Sequence, residues 1–165
     1  NVQSCAQRMI VMNDQLLAAE SMTSSLLLSI FPEDYIPRVL SGEKLIAERY
    51  KAATVLFSDI VGFTNFASQL DPKTVVEALN LMYTVFDDIT ELHEVYKVET
   101  IGDGYMIASG CPNRTSLHCR QAVNTALDMI AAMPFLRTEL IRRVEGIRNS
   151  PEAREWAKTM NVRIG

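Results

Sequence analysis

Val2, Cys5, Met9, Met12, Leu16, Ala19, Thr23, Leu26 and Ile30 follow one another in alternating steps of three and four, and Thr23 is the one polar member. A repeat averaging about 3.5 residues belongs to a helix whose seam faces a partner helix, so this stretch predicts a parallel coiled coil; an amphipathic helix packed on its own domain has the same spacing. Weak seam residues such as Cys5, Ala19 and Thr23 predict a marginal coil, a property suited to a helix that relays a signal. The run stops at Phe31-Pro32, and Pro37 and Ser41-Gly42 mark a connector. Residues 1–46 therefore predict a signalling helix with its connector, and residues 47–165 a separate folded domain.

Beyond the connector the pattern changes. The apolar run Ala53-Ala-Thr-Val-Leu-Phe-Ser58 predicts a strand, followed by the turn-prone Asp59-Ile-Val-Gly-Phe-Thr64. Asp71-Pro72 supplies an N-cap with proline at N1 for a helix in which Val75, Val76, Leu79, Met82, Tyr83, Phe86 and Ile89 recur at helical spacing. Residues 95–100 and 105–109 predict the arms of a hairpin with Gly102-Asp-Gly104 at its tip. A second amphipathic helix over residues 116–133 is expected to turn Ala122, Val123, Ala126, Leu127 and Ile130 inward. Pro134 and a polar stretch lead to Ser150-Pro151-Glu152, another helix start, and Val162-Arg-Ile-Gly165 opens a fourth strand.

The order strand, helix, strand, strand, helix, strand predicts an α+β, ferredoxin-like (βαββαβ) fold. In that topology the first strand lies antiparallel to the second arm of the hairpin, so the end of the first strand adjoins the hairpin tip. Asp59 and Asp103 are thereby expected to meet at one edge of the sheet.

Composition narrows the partners. The chain has 165 residues, 48% hydrophobic and 22% charged, with a net charge of -4; disorder and a nucleic-acid surface are both disfavoured. Arg137, Arg142 and Arg143 are expected to face solvent on a helix. Cys5, Cys111 and Cys119 lack metal spacing with His93 and His118, which predicts reduced thiols and no zinc. No apolar run reaches the roughly 18 to 20 residues that span a bilayer. The expected location is cytoplasmic, with attachment to the cytoplasmic face of a membrane as part of a larger receptor left open.

Two carboxylates on neighbouring strands can bridge two Mg²⁺ or Mn²⁺ ions, which prefer oxygen ligands and keep places for water and phosphate. Taken singly, Asp59 reads as a helix cap and Asp103 as a turn residue; the topology joins them. Gly62 lets backbone amides approach an anion, and a short helix beginning near Thr64 adds its positive N-terminal end.

The string Phe57-Ser-Asp-Ile-Val-Gly-Phe-Thr64 closely resembles the metal- and phosphate-binding segment of class III nucleotide cyclase catalytic domains. Tyr96-Lys-Val-Glu-Thr-Ile-Gly-Asp-Gly-Tyr-Met106 resembles the second metal segment of that family, with Gly104 where alanine is more usual. The likeness extends from about Leu26 to Gly165 and includes Glu48-Arg-Tyr50. It implies that Asp59 and Asp103 hold the metal pair, that the Ile60 carbonyl completes one coordination shell, and that the Gly62, Phe63 and Thr64 amides hold the β- and γ-phosphates. The implied reaction is attack of the ribose 3′-hydroxyl on the α-phosphate, releasing pyrophosphate and a 3′,5′-cyclic nucleotide. Glu99 stands where guanylate cyclases of the family carry glutamate and adenylate cyclases typically carry lysine. A carboxylate accepts from the N1 and N2 donors of guanine and repels the N1 acceptor of adenine, so GTP is the expected substrate; as a plain strand residue, Glu99 would pair with Lys97.

The resemblance further implies a site shared between two subunits, as a homodimer or one half of a heterodimer. The asparagine, arginine, lysine and second base-reading residue of such sites fall beyond Gly165, so this chain alone is expected to be incomplete at its C-terminus and to turn over little or no substrate. The coiled coil would link it to an upstream sensor. A catalytically silent or partner-dependent dimerisation subunit is the alternative of a different class. An adenylate cyclase is disfavoured by Glu99, and a diguanylate cyclase by a hairpin that does not read GGDEF. Residues 134–160 form a longer connection than the family usually has, which predicts either an extra helix or a register fault in the underlying gene.

Overall fold

The computed structural model describes the backbone of residues 2–165 and the side chains of residues 8–28 and 30–165. The chain divides into two compact units, residues 1–49 and residues 50–165.

In the first unit, helix α1 runs Val2–Ile30 and ends just before Phe31-Pro32, where proline lacks the amide that would continue it. The seam residues Met9, Met12, Leu16, Leu26 and Ile30 are all exposed, as are Ala19 and Thr23, while the Val2 and Cys5 side chains lie outside the described residues. Ile10, Val11, Leu17, Met22 and Leu28 are exposed too, so the apolar surface of α1 is wider than one seam. A single 3-10 turn, Glu33–Tyr35, and the short helix α2, Ile36–Leu40, make the connector. Arg38 ties it together through Glu43 at 2.6 Å and Glu48 at 2.9 Å. No helix among the described residues is long and apolar enough to cross a membrane.

The second unit is built on strands β1 (Thr54–Ile60), β2 (Tyr96–Ile101), β3 (Gly104–Ser109) and β4 (Val162–Ile164), in the antiparallel order β2-β3-β1-β4. This is the expected ferredoxin-like order. Along β1, Leu56, Ser58 and Ile60 are buried while Val55 and Phe57 are 45% and 57% exposed. One face of the sheet therefore carries the core and the other stands open.

Helices α3 (Phe63–Ala67), α4 (Pro72–Leu92), α5 (His118–Arg143), α6 (Glu145–Asn149) and α7 (Pro151–Thr159) complete the unit. Asp71 caps α4 as expected, accepting from the Thr74 amide at 3.1 Å, with Pro72 in the first turn. The core stripe of α4 is Thr74, Ala78, Met82, Phe86 and Thr90; Val75, Leu79, Tyr83 and Ile89 flank it, whereas Val76 points to solvent.

Three expectations for the later chain need correction. Helix α5 does not end near Met133 but continues ten residues further, with Pro134 inside it. An internal proline costs about 3 kcal/mol; Met129, Met133, Leu136 and Leu140, all buried, extend one apolar stripe across it and offset that cost. The buried stripe also lies on a different face from the one expected, since Val123, Leu127 and Ile130 are 56%, 58% and 48% exposed and Ala122, Thr125 and Met129 point inward. Thr125 can be buried because its hydroxyl donates to the Gln121 carbonyl at 2.8 Å. Arg137 is not a solvated residue, since its Nε donates to the Met160 carbonyl at 2.7 Å; Arg142 and Arg143 both pair with Glu139.

The long connection, expected to hold an extra helix or a register fault, continues α5 and then holds the two helices α6 and α7. Ser150 caps α7 through the Ala153 amide at 3.1 Å, and Ile147, Ala153, Ala157 and Met160 are buried in the common core. Trp156 stacks on Phe66 with ring centroids 3.4 Å apart. At Gly146 a methyl group would lie 1.9 Å from Thr74 Oγ1, so α6 packs against the start of α4 at a distance that only glycine permits.

Candidate active site

Asp59 is the penultimate residue of β1 and belongs to the open face, between buried Ser58 and buried Ile60. Asp103 occupies a two-residue turn with Gly102, between the paired residues Ile101 and Gly104. Gly102 has φ of +61°, a conformation that side chains other than glycine rarely adopt. The register Ser58 opposite Tyr105 brings the turn to the end of β1, where Asp103 Oδ2 accepts from the Ile60 amide at 3.1 Å.

The two carboxyl groups stand close enough at the end of β1 for each to perturb the other. Their surroundings push them apart: the interaction with Asp103, then the Arg163 guanidinium, holds Asp59 below the ordinary carboxylate range. Burial, then the neighbouring Asp59, pushes Asp103 above it. Two carboxylates set side by side are a place where a cation is favoured. Among the described residues no cluster of three or more His, Cys, Asp or Glu side chains surrounds them. That donor set, two carboxylates beside main-chain oxygen, suits Mg²⁺ or Mn²⁺ that retain water and phosphate ligands, and fits a closed protein cage poorly.

Arg163 is a site residue that sequence reasoning missed. It sits opposite Asp59 in the β1–β4 register, its Nε donates to Asp59 Oδ2 at 2.9 Å, and its terminal amino group reaches the same oxygen. The signal was available: in the strand Val162-Arg-Ile164, alternation puts Arg163 on the face opposite its buried neighbour, and the ferredoxin-like order puts that strand beside β1.

Gly62 lies two residues beyond the end of β1 with φ of +74°, and a methyl group there would meet nothing within 4 Å. Conformation rather than crowding selects glycine, and the space beside it is open. The residue is the N-cap of α3, whose first-turn amides, Phe63 and Thr64 among them, have no carbonyl of their own helix to bond.

Glu99 lies on the edge strand β2, next to a register irregularity between Lys97 and Glu99. It pairs with Met106, which pairs with Phe57, so Glu99, Met106 and Phe57 form one cross-strand row. Phe57 and Asp59 share the open face, and Glu99 therefore belongs to the same face as the carboxylate pair. Strand spacing and rise put its backbone about 12 Å from that of Asp59. Lys97 does not pair with Glu99; it pairs with Asp87 at 2.7 Å, and Glu99 is exposed. The structure thus brings Asp59, Ile60 and Asp103 together, sets Gly62, Phe63 and Thr64 just beyond them, and keeps Glu99 apart along one surface.

Comparison with known proteins identifies the family of this unit. The family model for the adenylate and guanylate cyclase catalytic domain matches residues 45–165. The soluble guanylate cyclase subunit beta-2 of Rattus norvegicus is 40% identical over 119 residues, covering 72% of this chain and 17% of that protein. The guanylate cyclase domain of RhGC from Catenaria anguillulae, solved in complex with GTP, is 35% identical with a TM-score of 0.55, over 72% of this chain and 57% of that one. The dimeric guanylyl cyclase domain of the RhoGC fusion protein from Blastocladiella emersonii is 34% identical with a TM-score of 0.54, over 70% and 56%. The chain spans less than a fifth of the rat subunit and somewhat over half of each solved domain. From residue 45 onward it belongs to the adenylate and guanylate cyclase catalytic domain family.

Proposed function

We propose that this chain carries the metal- and phosphate-binding part of a guanylate cyclase site, which converts GTP to 3′,5′-cyclic GMP and pyrophosphate. The observation that supports it most directly is the juxtaposition of Asp59 and Asp103 where β1 meets the hairpin tip, with Asp103 Oδ2 accepting from the Ile60 amide at 3.1 Å. In the reaction the ribose 3′-oxygen bonds to the α-phosphorus, the bond from that phosphorus to the bridging oxygen breaks, the hydroxyl proton leaves and pyrophosphate departs. Two bound divalent ions would supply an activated hydroxyl and charge neutralisation on the triphosphate.

The residues of this chain would hold and orient. Asp59 and Asp103 would hold the ions, with the Ile60 carbonyl as a further oxygen donor. The amides of Gly62, Phe63 and Thr64 receive the β- and γ-phosphates. Arg163, which here pairs with Asp59, would be placed to pair with a phosphate oxygen as well. Glu99, on the same open face at about the span of a nucleotide from Asp59, accepts from the guanine edge. Because that face is uncovered, a second cyclase subunit, identical or not, would close the site over it. Helix α1 would pair with its counterpart through the exposed seam and connect the site to an upstream sensor.

The test is product analysis of the full-length protein containing this chain, with Mn²⁺ and either GTP or ATP, beside an Asp59→Asn counterpart. Cyclic GMP that falls on the order of 100-fold or more in the variant is the expected result. Cyclic AMP as the main product would overturn the reading of Glu99. No product from either nucleotide, alone or with a complementing subunit, would leave a silent dimerisation module.

A further inference from the structure

One turn of α4 separates Tyr83 from Asp87, and both reach the β2–β3 hairpin. Asp87 accepts from Tyr105 at 2.5 Å and from Lys97 at 2.9 Å, fixing the two arms of the hairpin to the helix. Tyr83 reaches further along, and its hydroxyl donates to the carbonyl oxygen of Gly102 in the turn itself. The Tyr83 ring is held in turn by Tyr105, with centroids 5.7 Å apart, and by the Lys97 ammonium 5.9 Å from its centre.

The Gly102 carbonyl belongs to the peptide unit whose nitrogen is that of Asp103. A peptide unit is planar, so holding its oxygen fixes the plane from which Asp103 departs. The far end of the residue is fixed by the Ile60 amide on Oδ2. Asp103 is thus clamped from α4 on one side and from β1 on the other. Without the first clamp, only the hairpin ladder would orient a two-residue turn whose glycine is free to adopt other conformations.

We infer that Tyr83 is a positioning residue for the metal site, holding the Gly102 carbonyl so that the Asp103 carboxylate is aimed at Asp59. The role rests on the cyclase reading of that pair. Carboxylates that share ions must be placed to within about half an ångström, which is why one hydroxyl on a neighbouring helix matters to them.

Tyr83→Phe removes the hydroxyl and keeps the ring contacts with Tyr105 and Lys97. It is compared with the wild-type chain by Mn²⁺ titration followed by electron paramagnetic resonance, by amide hydrogen exchange and by thermal melting, with Asp103→Asn as the variant that lacks the ligand. The expected result is a loss of Mn²⁺ affinity of about fivefold, the worth of one neutral hydrogen bond. Exchange should quicken at the Asp103 and Gly104 amides, with the β1 and α4 amides and the melting temperature unchanged. Unchanged exchange at the turn, or quicker exchange with unchanged Mn²⁺ affinity, would overturn the role. A wild-type chain that binds no Mn²⁺ would overturn the cyclase reading and, with it, the ligand that Tyr83 is said to position.

Discussion

Ser58 sits one residue before Asp59, buried on the core face of β1, and its hydroxyl finds no hydrogen-bond partner among the described residues. A buried, unbonded hydroxyl costs stability, so Ser58→Ala should leave the domain as stable or up to about 1 kcal/mol more stable, read by chemical denaturation. At Glu99 the charge itself is the point. Glu99→Gln keeps the size but offers guanine a weaker acceptor, and kcat/KM for GTP relative to ATP should fall by at least about tenfold in the complete enzyme. Asp71 illustrates the reverse sign of a charge effect. Its bonds to Thr74 hold its pKa below the ordinary 3.8, so the ionised cap stabilises the folded state above that value. That contribution is lost as the pH falls through the lowered folded-state pKa. The stability gap between wild type and Asp71→Asn, measured by thermal melting across pH, should be full near neutrality and close below 3.8.

The elements differ in how plainly the sequence announces them. Asp71-Pro72, Ser150-Pro151 and the Gly102 turn are local devices, where capping or φ decides the structure within three or four residues, and each was legible. The carboxylate pair was legible because topology alone brings the end of β1 to the hairpin tip. Helix α5 was misread for a tertiary reason: Thr125 counts as polar in a pattern but hides its hydroxyl on its own helix, which rotates the buried face away from Val123 and Leu127. Arg163 was missed because its partner is remote, 104 residues away in sequence, and shows only when the sheet order is used to set β4 beside β1. The fit of α6 was invisible for the same reason, since nothing beside Gly146 in the chain points to Thr74. Gly146→Ala should cost about 1 to 3 kcal/mol through overpacking, measured by denaturant unfolding.

At the scale of the molecule, apolar surface stands uncovered on the seam of α1 in one unit and on the open face of β1, at Val55 and Phe57, in the other. A face of this kind on a cyclase core is what a second subunit would cover. Leu16→Glu should weaken self-association of the chain at least about tenfold in sedimentation equilibrium while leaving the melting of the sheet domain unchanged. The helices of the long connection carry a different consequence. Trp156 is the sole tryptophan of the chain, and it lies flat against Phe66 in the helix that begins at Gly62. Its near-ultraviolet emission therefore arises from a single contact and senses any shift of that helix against α7. The chain carries an intrinsic optical gauge of the turn at Gly62, readable in a cuvette without a label.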